Sequence, residues 1–201
     1  MNKLIFATAN NNKLEEIRAL LPATIQIISL SDLGITDDIP ETEDTFEGNA
    51  LLKAHYIYER HKVPCFADDS GLEVEALDGA PGVYSARYSG VAPSHPERAK
   101  TNINKLLHEL SGKSNRKARF RTVIAYIDME GNEHFFEGVV NGTITEASIG
   151  KVDFGYDPVF MPDGYDRTYA QMALSEKNLT SHRARAFRKF VNELTSNGML
   201  K

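Results

Sequence analysis

The chain has 201 residues, 41% apolar and 25% charged, which is enough to bury a substantial core without disulfides or structural metals. Its single cysteine, Cys65, excludes an intrachain disulfide and any CxxC zinc or redox motif. A net charge of −5 argues against a nonspecific nucleic-acid coat, and apolar runs no longer than those at 4–7 and 123–127 argue against a membrane span, so a cytoplasmic globular protein without nucleic-acid or membrane partners is expected.

In chain order, Lys3–Thr8 is apolar and β-prone and predicts a buried strand. It runs through Ala9-Asn10-Asn11-Asn12 into a predicted helix over Lys13–Leu21, with Leu14, Ile17 and Leu21 at helical spacing and Pro22 as its stop. A strand over Ile25–Leu30 follows, then an acidic run: Asp32 to Glu47 holds seven carboxylates and no Lys or Arg. Such a run is either a solvated loop or a segment in which one carboxylate faces a cation. Thr45 is placed to cap a helix reaching about His61, with Phe46, Ala50, Ala54 and Ile57 as its core stripe. Pro64–Ala67 predicts a short strand ending in a turn, Asp68-Asp69-Ser70-Gly71, before a second strand over Leu72–Leu77.

A Gly/Pro loop at 79–82 and a helix over about Pro96–Leu110 come next. Two strands, Ala118–Met129 and His134–Thr145, then flank the hairpin signal at 130–133. The chain closes with a Gly-rich stretch around Phe154-Gly155-Tyr156-Asp157-Pro158 and a helix over about Ser181–Leu194. Alternating helices and strands followed by an antiparallel pair predict an α/β fold with a mixed sheet. No linker separates independent domains, so residues 1–201 read as one.

P-loop, dinucleotide-turn, HExxH and GxSxG motifs are all absent from the sequence. What remains is polar residues at strand ends. Thr8–Lys13 leads a strand into a helix N-terminus, which suits either an anion or an Asn-rich cap. Asp68 and Asp69 repel each other, so burying both calls for a shared proton or a cation such as Mg²⁺; an ordinary turn explains the same composition. Asn49 and Lys53 lie one helical turn apart. Further on, Phe154 and Tyr156 suit either a core or a purine face, and Arg183 suits a base edge or a phosphate.

Taken in order, Thr8-x-Asn10-x-x-Lys13, Glu41-x-x-x-Thr45-Phe46, Asn49-Ala50-x-x-Lys53-Ala54, Asp68-Asp69-Ser70-Gly71, the run 79–88, Phe154–Pro158 and Ser181-His182-Arg183 make the chain similar to the inosine triphosphate pyrophosphatases, from about Lys3 to Val191. One position departs: many members carry an acid immediately before Asn49, where this chain has Gly48. The resemblance implies an elongated mixed β-sheet flanked by helices, two lobes around a central cleft, a homodimer, and Mg²⁺-dependent hydrolysis of ITP, dITP and XTP to the monophosphate and pyrophosphate.

It also implies roles for particular residues. Thr8, Ala9, Asn10, Asn11, Asn12 and Lys13 would cradle the phosphates, with Lys53 and Lys177 neutralising them. Glu41 and Asp69 would hold the metal, Asp69 would accept the proton of the attacking water, and Asp68 would support or share that role. Ser70 would touch the substrate. Phe154 would stack on the base, ringed by Gly155, Tyr156, Asp157, His182 and Arg183; if Arg183 points at position 6 of the purine, its donors suit the 6-oxo group of hypoxanthine and xanthine. Two rivals stand beside this reading: a nucleotide sensor without catalysis, which would gain nothing from paired carboxylates, and a pyrophosphatase for modified pyrimidine or standard nucleotides.

Overall fold

The computed structural model describes residues 2–21, 25–37, 39–91, 96–152 and 155–198. The expected stop at Pro22 and the expected base-stacking Phe154 lie outside these residues. The strands are β1 (Asn2–Phe6), β2 (Ile25–Ser29), β3 (Cys65–Val74), β4 (Lys117–Ile127), β5 (Glu133–Ile144) and β6 (Phe160–Pro162). The helices are α1 (Asn11–Leu20), α2 (Phe46–His61), α3 (Arg98–Glu109), α4 (Leu174–Thr180) and α5 (His182–Ser196). One sheet runs in the order β2-β1-β3-β4-β5-β6; β1 is parallel to both β2 and β3, and β6 is antiparallel to β5. The expected mixed α/β class is what the chain adopts.

Two compact units emerge from the packing. The first takes in Met1–Asp69, Thr122–Gly138 and Ser181–Lys201, the second Ser70–Arg121 and Val139–Thr180. In the first unit the period-2 alternation of the strands divides the core in two. Leu4, Phe6 and Phe66 point to one face and pack with Leu14 and Ile17 of α1 and Phe187 and Phe190 of α5. Ala7, Cys65 and Ala67 point to the other and pack with Ala50, Ala54 and Ile57 of α2. In the second unit, Leu72 and Val74 of β3, Ile103 and Leu106 of α3, and Phe120, Val140, Phe160 and Tyr169 form one cluster.

Three expectations need correction. Asp68-Asp69-Ser70-Gly71 is no turn between two strands but the middle of the ten-residue β3. Helix α1 begins two residues before Lys13, because the Asn10 side chain caps it by accepting from the N–H groups of Asn12 and Lys13. β6 and α4, each shorter than a periodic pattern needs to declare itself, were missed. The cap at Thr45, bonded to the Gly48 N–H, is where the sequence places it, and Ser181, expected as the first residue of the last helix, caps it by accepting from the Ala184 N–H.

Candidate active site

Strand geometry resolves the conflict between the neighbouring carboxylates. Adjacent residues of a strand face opposite sides, so Asp68 shares the side of Phe66, toward α1 and α5, and Asp69 that of Ala67, toward α2. Their hydrogen-bonded cations differ, Lys13 and Arg183 for Asp68 and Lys53 for Asp69. Asp68, 2% exposed, accepts from Lys13 Nζ at 2.9 Å through Oδ1 and from Arg183 Nε at 3.1 Å through Oδ2. Burial pushes the Asp68 carboxyl up, but Lys13, Arg183 and Lys53 outweigh it and hold it well below the usual carboxylate range. Arg183 also bonds Glu16 through Nη1.

The resulting row Glu16–Arg183–Asp68–Lys13 alternates in sign and sums to zero. Arg183, which the resemblance places on the rim of the base, is held within this row. It is 1% exposed, and its Nε and Nη1 are committed to carboxylates inside the first unit. Glu16 is a residue the sequence reading missed; beside the exposed Glu15 nothing local singles it out.

Asp69 belongs to a second group. Lys53, which α2 projects toward β3, donates to Glu41 Oε1 at 2.7 Å and lies 3.4 Å from Asp69 Oδ1. Two carboxylates around one lysine leave a net charge of −1. Burial, with Glu41 and Asp68 adding to it, raises the Asp69 carboxyl above its ordinary value against the pull of Lys53 and Lys13. Burial lowers the affinity of Lys53 for its proton, but Asp69, Glu41 and Asp68 more than restore it. Among the described residues Asp69 Oδ2 is buried and accepts no hydrogen bond. A buried carboxylate oxygen without a donor is costly unless something that the protein itself does not supply completes it.

The Thr8–Lys13 segment is preorganised but partly self-satisfied. Thr8 is buried and its hydroxyl accepts from the Asn10 N–H at 3.2 Å, while Asn10 Oδ1 takes the N–H groups of Asn12 and Lys13 at 3.0 and 3.3 Å. Ala9, Asn11 and Asn12 are exposed. His182 opens α5 and is buried. Asn49 and Lys53, whose spacing alone would suit a solvated helix face, are both buried.

In the second unit Asp157 and Lys177 form a buried pair at 2.5 Å, and Lys177 Nζ sits 5.6 Å from the centre of the Tyr169 ring. Tyr156 is a core residue whose hydroxyl donates to the Ser85 carbonyl at 2.9 Å, so its ring packs inside the unit. Gly155 holds a positive φ of 52°, and Ser70 is half-buried on β3.

Comparison with known proteins bears on what this arrangement belongs to. A dITP/XTP pyrophosphatase of Porphyromonas gingivalis is 54% identical over 187 residues, covering 92% of this chain and 94% of its own. One of Flavobacterium johnsoniae is 47% identical over 194 residues, with coverage of 96% and 98%. The solved structure of the Staphylococcus aureus Ham1 protein matches with a TM-score of 0.86 at 36% identity over 98% of this chain and all of that one. A Mycobacterium abscessus nucleoside-triphosphatase / dITP/XTP pyrophosphatase matches at a TM-score of 0.75 and 38% identity, covering 94% and 98%. The Ham1 family profile runs from residue 4 to residue 193, past every polar group described above, and the chain belongs to the Ham1 family.

Proposed function

We propose that this protein hydrolyses non-canonical purine nucleoside triphosphates, ITP, dITP and XTP, to the monophosphate and pyrophosphate, clearing them from the nucleotide pool. The observation that carries this reading is Asp69: a buried carboxylate with one oxygen at Lys53 and the other without a hydrogen-bond donor among the described residues. The names of the curated relatives, each a dITP/XTP pyrophosphatase, support the choice of substrate.

In this reading the attacking water gives its proton to Asp69 while its oxygen bonds to the α-phosphorus, and the bond to the bridging oxygen breaks to release pyrophosphate. Asp69 Oδ2, which accepts no hydrogen bond among the described residues, is the oxygen available to take that proton. Lys13 and Lys53, preloaded against Asp68 and against Glu41 and Asp69, offset the triphosphate charge, and the exposed Asn11 and Asn12 offer further donors. Asp68 steadies Lys13 and Arg183, to which its two oxygens are bonded.

Glu41 and Asp69 fit a hard divalent cation, since both offer carboxylate oxygens, their group carries a net −1, and one buried oxygen is uncompleted. Mg²⁺ held by them would neutralise phosphate charge and acidify the water. Lys177 and Asp157 are assigned to the substrate by resemblance alone, as are Phe154, Gly155, Tyr156 and His182 around the base. A homodimer is likewise supported by the resemblance, and a cytoplasmic location by the substrate class. Among the described residues no helix is long and apolar enough to cross a membrane.

Incubation with a panel of nucleoside triphosphates and Mg²⁺ tests the reading. ITP and XTP should yield monophosphate and pyrophosphate, ATP and GTP little. Formation of IDP and orthophosphate, or rates indifferent to EDTA, would refute it.

A further inference from the structure

The acidic segment ahead of α2 has no evident reason to hold still: its carboxylates repel one another, and Thr42 to Thr45 are exposed. Yet Glu41 within it must keep its carboxylate at Lys53. The restraint comes from the helix itself. Asn49, fully buried, pairs with the backbone of Glu43 in both directions: its Oδ1 accepts the Glu43 N–H at 3.0 Å and its Nδ2 donates to the Glu43 carbonyl at 3.1 Å. One turn further along α2, Lys53 takes the carboxylate of Glu41. The helix thus grips the segment twice, by main chain two residues after Glu41 and by the Glu41 side chain.

With Glu43 opposite, the first grip leaves no room in this chain for a side chain on the residue before Asn49. A Cβ on Gly48 would stand 2.7 Å from Glu43 Cβ, 3.0 Å from Glu43 Cγ and 3.0 Å from Thr45 Oγ1. The first of these is a contact that side chains do not make, and the segment would have to lift. Gly48 is at ordinary negative φ, so space and not backbone conformation demands the glycine.

We propose that Asn49 is a positioning residue, and Gly48 the clearance it needs, which together set Glu41 beside Asp69 for a divalent cation. The inference rests on the metal-assisted reading above. Neither residue touches the reacting atoms; both act through Glu41. Losing an outer partner of a metal ligand typically costs ~10–100-fold in metal affinity.

The variants are Gly48→Ala, Asn49→Ala and the double variant Gly48→Ala/Glu43→Gly, in which removal of the opposing Cβ relieves the clash. Mn²⁺ binding is followed by electron paramagnetic resonance, and pyrophosphate release from ITP is titrated with Mg²⁺. Gly48→Ala and Asn49→Ala should raise the half-saturating Mn²⁺ and Mg²⁺ concentrations ~10–100-fold, with kcat at saturating metal changing far less. The double variant should return to the wild-type value. A purely structural role would lower the melting temperature and the amount of active protein without moving the metal dependence.

Wild-type metal dependence in both single variants, or a double variant as impaired as Gly48→Ala, overturns the proposal. If Mn²⁺ affinities follow the expected pattern while wild-type protein releases no pyrophosphate, the clamp stands and the proposed activity falls. If pyrophosphate is released and Mn²⁺ affinities are unmoved, the activity stands and the clamp falls.

Discussion

Changing Glu16 to Gln keeps the size of the side chain and a carbonyl oxygen facing Arg183, but removes one of the two negative charges that neutralise a guanidinium only 1% exposed. Breaking a buried ion pair by removing one partner costs ~3–5 kcal/mol. Asp68 remains on Nε at 3.1 Å and the Gln oxygen can still accept from Nη1, so the lower end applies, about 3 kcal/mol. For a chain of 201 residues, at ~2–4 °C per kcal/mol, the melting temperature should drop by roughly 6–12 °C. Urea unfolding followed by circular dichroism measures this directly. The companion double variant, Glu16→Leu with Arg183→Met, replaces the pair by apolar groups of similar volume. It should cost less than the sum of its two single changes by ~1–3 kcal/mol, because only the singles strand a charge. A Glu16→Gln protein within about 0.5 kcal/mol of wild type, or additive energies in the cycle, would mean that water reaches the pair and that the alternating row is no buried network.

Asp69→Asn should lower kcat at least ~100-fold, the smaller end of what a general base contributes, while its melting temperature stays level or rises. Ionising Asp69 is opposed by burial, so removing its charge relieves the fold; a variant with unaltered turnover, measured by pyrophosphate release, would strip Asp69 of its role. Gly138→Ala should destabilise by about 3 kcal/mol, the top of the usual range for overpacking, or fail to fold. Its Cβ would fall 2.1 Å from the His182 carbonyl oxygen and 2.5 Å from the Ala186 nitrogen, both backbone atoms of α5. Acid should weaken the fold below pH 4. Asp68 and Asp128 have carboxyls depressed in the folded state, so their stabilisation is present above the unfolded value and is lost as pH falls through the folded one. Burial raises Asp128, but hydrogen bonds from His134, Asn132 and the Glu130 N–H bring it from 3.8 to about 2, which is worth about 2 kcal/mol. Urea titrations at pH 6 and pH 2 should find that Asp128→Asn loses that much less than wild type.

Much of the first unit is legible residue by residue. The apolar spacing in 14–21 and 46–57 and the cap at Thr45 are local signals, and they mark α1 and α2. β3 is not legible, for a reason that lies far along the chain. Two aspartates, a serine and a glycine compose a turn unless their charges are met, and the cations that meet them come from 55, 16 and 115 residues away, in Lys13, Lys53 and Arg183. The same distance hides Glu16. Its partner is 167 residues on, and no pattern around it distinguishes a buried acid from a solvated one. Residue chemistry alone offers an anion site at Thr8–Lys13 and a cation site at Asp68-Asp69, and only resemblance assigns particular roles to Lys13, Lys53 and Asp69; Asn49, named in the sequence for its spacing, acquires a function only from the main-chain atoms that it bonds.

The composition of the first unit also dictates when it can form during synthesis. Its strands β1 and β3 emerge early, with Phe6 and Phe66 stacked at 4.5 Å, but the rings that cover them, Phe187 and Phe190, belong to α5 near the other end of the chain. A ribosome at ~5–20 residues per second needs on the order of ten seconds or more to travel from one to the other. For that interval the nascent chain carries an aromatic face and an Asp68 that has Lys13 but not yet Arg183, which arrives with the same helix. The last helix to be made is therefore the one that closes the first core, and a chain cut before Ser181 should be a substrate for chaperones and proteases rather than a weakened enzyme.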